Sequence, residues 1–181
     1  MAREYIRVKY NKPGNVYLGL VHRLDRPVGG AMIFARTSKA ASRLSDMIRT
    51  NQMKKTYLAI LDGVPKKGQD TLTDYLIKDH RTNMVRVTDE AHGKRSVLYY
   101  RTLAIKQQKT LIEIHLETGR SHQIRVQFMH SGHPLVYDMR YGHGERGQNI
   151  VGRIDRWQEM LHIRRKLSVA RKGLVWLSMP R

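Results

Sequence analysis

The sequence contains no cysteine, which excludes disulfide scaffolds, thiolate metal sites and cysteine nucleophiles. It has no hydrophobic run near the roughly 18 residues that a spanning helix needs. Its first stretch, MAREYIRVKYNKPG, lacks the apolar segment of a secretory signal. Acidic residues are scarce, 15 against 34 lysines and arginines, for a formal net charge of +19. About 40% of residues are hydrophobic, enough for a packed core and too many for a disordered basic tail. These properties describe a soluble, cytoplasmic domain with a preference for polyanions. Nucleic acid is the first such partner and an anionic membrane surface the second.

The 181 residues suit one compact domain. Their charge is uneven. Residues 1–70 hold 14 basic and 5 acidic residues, residues 71–145 hold 11 and 8, and residues 146–181 hold 9 and 2. A nearly balanced middle between two basic ends points to a folded body with a basic face built from both ends, beyond what solubility asks of a small domain.

The hydrophobic pattern predicts mostly strands. Gly30 to Arg36 reads as a short strand buried on both faces. Ser38 to Arg49 has Ala40, Ala41, Leu44, Met47 and Ile48 at helical spacing, with Thr37 or Ser38 as N-cap. Lys55 to Leu61 reads as a second buried strand, and turns follow at Asp62-Gly63 and Lys67-Gly68. Leu72 to Ile77, Met84 to Thr88, Ser96 to Ile105 and Thr110 to Leu116 are further strands. In the last, Ile112, Ile114 and Leu116 share one face while Glu113 and His115 take the other. Ser121 to His130 is expected to be helical and to end at Gly132-His133-Pro134. Residues 142–153 read as a polar loop and residues 161–178 as a final hairpin. The sum is an α+β domain with a mixed, mostly antiparallel sheet and few helices.

Three segments can carry chemistry. Asp25 lies between Arg23 and Arg26 in His22-Arg23-Leu24-Asp25-Arg26. Neighbouring cations favour an ionised carboxylate, fit to act as nucleophile or general base; a structural Arg–Asp pair at a turn is the plainer alternative. Tyr57 follows Lys54 and Lys55. Its ring suits a core strand, or stacks on a nucleobase while the lysines meet phosphates. Arg120 stands in Thr118-Gly119-Arg120-Ser121-His122-Gln123-Ile124-Arg125, where a strand gives way to a helix. There it binds phosphate or pairs with a carboxylate, or is a surface arginine at an ordinary connection.

In this order the three segments resemble the RluA-type RNA pseudouridine synthases. Gly132-His133-Pro134, Asp138 and Tyr141-Gly142 extend the match, which runs from about residue 18 to the C-terminus. The resemblance implies the pseudouridine synthase catalytic fold and isomerisation of uridine in ribosomal or transfer RNA, without metal or organic cofactor. It implies that Asp25 is the catalytic carboxylate, Tyr57 the residue that stacks on the target uracil, and Arg120 the partner of that carboxylate. Arg23 is implied in contact around the flipped nucleotide. His22, Arg26, Lys54, Lys55, His122 and Arg125 complete the expected RNA-binding set. The expected partner is RNA, with no membrane, and the expected state is a monomer.

Some positions depart from the family's pattern. Asn11-Lys12-Pro13-Gly14 lies too close to the first motif to be the family's upstream Asn-Lys-Pro element. The first strands of the fold are therefore expected to be missing, and no S4-like domain is expected beside the catalytic one. Gly29 stands where the family often has serine, and Tyr137 where glycine is common. Two rival functions compete with the enzyme. One is a catalytically inactive RNA-binding or ribosome-associated protein of the same fold. The other is a metal-dependent hydrolase using His130 and His133, which lacks a clear carboxylate ligand.

Overall fold

The computed structural model describes residues 2–24, 28–30, 32–50, 52, 53 and 55–142. The expected final hairpin and all but the first residue of the expected 142–153 loop lie outside them. The chain divides into two compact units between Gln52 and Met53.

The first unit contains α1 (Ala2–Lys9), β1 (Gly19–Leu20), β2 (Phe34–Ala35) and α2 (Ser38–Arg49). The sequence pattern gave no signal for α1, because this helix buries none of its residues. It rests on local contacts. Arg7 donates to Glu4 at 2.7 Å and Lys9 to the Tyr5 hydroxyl at 2.9 Å, three and four positions back. The expected seven-residue strand at Gly30 to Arg36 shrinks to Phe34–Ala35, which pairs antiparallel with Gly19–Leu20. Ala35 alone of the two is fully buried, so the apolar run supplies less strand than its composition promised. Helix α2 has the predicted bounds. The Thr37 hydroxyl accepts the Ala40 N–H at 3.1 Å, satisfying one of the donors a helix start leaves open.

The second unit is a five-stranded antiparallel sheet carrying one helix. Its strands are β3 (Thr56–Asp62), β4 (Gln69–Asp79), β5 (Met84–Thr88), β6 (Lys94–Lys106) and β7 (Lys109–Leu116), with α3 at Gln123–His130. The order across the sheet is β3-β7-β6-β4-β5. Strands β4, β6 and β7 run longer than their apolar cores suggested, because backbone pairing continues past the last buried side chain. The β6–β7 register shifts by one residue between Thr102 and Ala104, a bulge that bends the longest strand.

Alternation decides which face is core. Leu61, Leu98, Tyr100, Ile112 and Ile114 point to one face, and Phe128 of α3 packs on them. The Tyr100 and Phe128 rings meet edge to face at 5.3 Å. Burying side chains of this size contributes about 1.5–3 kcal/mol each. The other face carries Thr56, Glu113 and His115, as expected for β7. Arg101 donates to Glu113 at 2.8 Å, and Thr56 meets His115 Nδ1 at 3.2 Å. After α3 the chain returns along β3: Asp62 N–H donates to Pro134 C=O and Val136 N–H to Ile60 C=O. This strap covers part of an edge strand that would otherwise offer unpaired backbone to another chain.

Candidate active site

Antiparallel pairing of β3 with β7 brings two of the three motif segments together. Thr56 faces His115, Tyr57 faces Ile114, and the Leu116 N–H reaches the Lys55 carbonyl. The start of β3 therefore lies beside the end of β7, where Thr118-Gly119-Arg120 follows. The Lys55 ammonium sits over this turn, about where a side chain at Gly119 would begin: a Cβ there would lie 3.5 Å from Lys55 Nζ.

Tyr57 points to the core face and packs, half-buried, against the cluster under α3. Burial pushes its phenol pKa up, since charge is costly away from water. Its hydroxyl stays protonated across the physiological range.

Arg120 is exposed, yet held at three points. Its Nε donates to the Arg95 carbonyl at 3.2 Å. Its backbone N–H donates to Gln123 Oε1 at 2.9 Å, and its carbonyl accepts the Gln123 N–H at 3.3 Å. Its two terminal amines have no partner among the described residues and are free to take an anion. The helix begins two residues later than the pattern indicated. His122 adopts φ 51°, a left-handed conformation that makes no side-chain cap, and the reversal at His122 delays the first helical turn.

His122 and Arg125, both expected to meet RNA, are drawn into the protein. His122 Nδ1 lies 2.7 Å from the Tyr141 hydroxyl, which also accepts the Val85 N–H at 2.9 Å. Arg125 grips Asp138 with two parallel bonds, Nε to Oδ2 at 2.7 Å and Nη2 to Oδ1 at 2.6 Å. These side chains are only 15% and 4% exposed. Asp138 Oδ1 also accepts the N–H groups of Arg140 and Tyr141. Burial by itself pushes this carboxyl up, but the Arg125 bonds and the two backbone donors outweigh it and hold the pKa below the ordinary value. Arg125 thus clamps α3 to the segment 135–142. Tyr137 sits within that segment at φ 63°, a conformation glycine adopts without strain.

In the first unit, the His22 Nε2 accepts the Ile33 N–H at 2.9 Å. That bond and the β1–β2 pairing fix the chain on both sides of the Asp25 motif. Arg23 is exposed. Asp25, Arg26 and Lys54 lie outside the described residues. Of the histidines weighed as metal ligands, His130 contacts Asp74 at 2.9 Å and His133 lies against Gly63.

The motifs did not reveal a strip of buried polar side chains under α3. Gln123 Nε2 donates to the Val97 carbonyl and to Gln127 Oε1, and Gln127 Nε2 donates to the Ser96 carbonyl and to Asp74. Two glutamines four apart on a core-facing helix were the available signal.

Residues 1–130 match the family described as RNA pseudouridylate synthase. The chain is 33% identical over 155 residues to the ribosomal large subunit pseudouridine synthase C of Buchnera aphidicola from Schizaphis graminum, covering 83% of this chain and 48% of that protein. It is 38% identical over 133 residues to an uncharacterized RNA pseudouridine synthase of Zymomonas mobilis, covering 72% and 60%. The chain spans about half the length of most of the curated relatives it matches. Among solved structures, human RNA pseudouridylate synthase domain containing 4 superposes with a TM-score of 0.67 at 21% identity, over 86% of this chain and 64% of that one. Human RNA pseudouridylate synthase domain containing 1 gives 0.66 at 23%, over 86% and 63%. These two establish the fold. The sequence matches go further: the chain belongs to the RNA pseudouridylate synthase family.

Proposed function

We propose that the protein isomerises uridine to pseudouridine in RNA, with Asp25 as the essential carboxylate and ribosomal RNA as the favoured substrate. The observation that carries this reading is the end of the sheet where Lys55, Tyr57 and a three-point-anchored Arg120 come together, in a chain of this family. The choice of ribosomal over transfer RNA follows the relatives that are ribosomal large subunit pseudouridine synthases.

A uridine in folded RNA is out of reach until it is unstacked, at a cost of a few kcal/mol. Arg23 fills the space it leaves. Tyr57 stacks on the extruded ring, and Lys55 and Lys54 meet the flanking phosphates. The C1′–N1 bond then breaks, the uracil turns, and C5 bonds to C1′. The proton on C5 leaves and N1 gains one, so the reaction is redox-neutral and calls for no metal or cofactor. Asp25 starts it by attacking C1′ or by taking the C2′ proton. In this reading the role of Arg120 is to keep the carboxylate ionised and aimed. With a charge of +19, self-repulsion favours a monomer, and we place it in the cytoplasm with its RNA.

The test is a map of pseudouridines in total RNA from cells with and without the gene, and from cells carrying Asp25→Asn. The expected result is loss of the same site or sites in the deletion and the variant, with RNA binding kept by the variant protein. An unchanged map in the deletion strain, or full activity of Asp25→Asn, overturns the assignment and favours an RNA-binding protein without catalysis.

A further inference from the structure

The strip of polar side chains under α3 is costly to bury, and the way it is satisfied shows what it does. Gln123 is 2% exposed and Gln127 fully buried, in a layer otherwise made of Leu98, Tyr100, Ile114, Val126 and Phe128. A buried amide without partners costs a few kcal/mol, and leucine or methionine would fill such space without that risk. Among the described residues no buried side-chain polar atom is left without a hydrogen bond, so the strip is fully connected.

Its order runs toward Arg120. At the far end His130 contacts Asp74, which accepts from Gln127. Gln127 accepts from Gln123 and donates to the Ser96 carbonyl, and Gln123 Nε2 also donates to the Val97 carbonyl. With its two amide hydrogens taken by the Val97 carbonyl of the sheet and by Gln127 Oε1 of the helix, the Gln123 Oε1 has a single orientation. That oxygen accepts the Thr118 hydroxyl at 2.9 Å and the Arg120 N–H at 2.9 Å, while the Gln123 backbone N–H closes on the Arg120 carbonyl. The helix start has no N-cap side chain of its own, since His122 supplies none. Gln123 instead reaches back to the preceding turn and fastens it to the sheet.

The geometry points to Gln123 as a positioning residue for Arg120: it clamps both peptide groups of that arginine so that its terminal amines face outward in one direction. The inference rests on the proposed role of Arg120 and deepens it. Gln123 itself touches no substrate.

The test uses the full chain and single-turnover pseudouridine formation on the RNA identified by mapping. Gln123→Met keeps the side-chain length and removes the acceptor. It should slow the chemical step roughly 10- to 100-fold, as expected for a misaimed catalytic group, with RNA affinity unchanged. Thr110→Val removes a buried hydroxyl that donates to the Gly63 carbonyl at the other end of β7. It should lower stability with no change in rate. In an Arg120→Ala background Gln123→Met should have no further effect on rate, because the two act through one group. If Gln123→Met does not fold, Gln123→Asn, one methylene too short to reach Arg120, should show the same slowing. A wild-type rate in the variant that folds, or additive losses with Arg120→Ala, overturns the inference alone. Absence of pseudouridine with the unaltered chain overturns the proposed function and takes this inference with it.

Discussion

Asp138→Asn removes one charge from a pair that the fold has almost entirely withdrawn from water. The wild-type carboxylate accepts four hydrogen bonds, two from Arg125 and one each from the N–H groups of Arg140 and Tyr141. Asparagine keeps one oxygen for the backbone donors but turns an N–H₂ toward the Arg125 guanidinium. The buried arginine then loses the charge of Asp138. Breaking such a pair on one side costs about 3–5 kcal/mol, and the retained backbone bonds put the expectation near the lower end, about 3 kcal/mol. For a protein of this size each kcal/mol moves Tm by about 2–4 °C, so the variant should melt about 6–12 °C lower. Asp46→Asn is the control. Asp46 pairs with Arg49 on the exposed face of α2, at 3.1 Å, with the two side chains 63% and 74% exposed, and exposed pairs contribute at most about 1 kcal/mol. Thermal denaturation followed by circular dichroism measures both.

The pH dependence gives a second reading of the same pair. The folded carboxyl of Asp138 lies below its ordinary value. Its contribution is therefore complete above the unfolded carboxylate range, near pH 4, and disappears as pH falls through the lower folded value. The Tm gap between wild type and Asp138→Asn should stay open at pH 7 and close on acidification below about pH 4. Equal losses for Asp138→Asn and Asp46→Asn, or a gap that does not change with acid, would refute the argument that burial makes this pair count.

Four other outcomes are expected. Thr37→Ala should cost about 1 kcal/mol by removing the N-cap of α2, read as a lowered denaturation midpoint with an unchanged slope. Tyr57→Phe should keep isomerisation within a few-fold, since the proposed stacking needs the ring and not the hydroxyl. Tyr57→Ala should lose about 1–3 kcal/mol of base stacking, seen as weaker binding of the target RNA. RNA affinity should fall steeply with salt in a filter-binding titration, as release of counterions from several phosphates requires; a flat response would count against the basic face.

Much of the second unit was legible in advance because its strands alternate cleanly. The predicted Met84–Thr88 strand has the observed bounds, and the division of Ile112 and Ile114 from Glu113 and His115 holds. Helix α2 was equally plain, with its cap and an apolar stripe at helical spacing. Helix α1 was not, because a helix with no buried face leaves no stripe to read. The strand at Gly30 to Arg36 was overestimated for the converse reason. An apolar run reports a wish for burial, whereas a strand also needs a backbone partner, and among the described residues of this run only Phe34 and Ala35 pair with β1.

For the site the division is similar. Motif order in the sequence by itself determined the family and named Asp25, Tyr57 and Arg120, since a particular chemistry calls for those residue types in those surroundings. Only the tertiary structure decided what the neighbouring residues do. Arg125 and His122 read as RNA contacts by type and place, yet folding sets them against Asp138 and Tyr141. Gln123 carried no signal beyond its spacing from Gln127, yet the pairing of β6 with β7 places the Val97 carbonyl and the Thr118 turn around it. The sequence specifies which groups are available; long-range strand pairing and burial decide which are used up inside the protein and which are left facing outward.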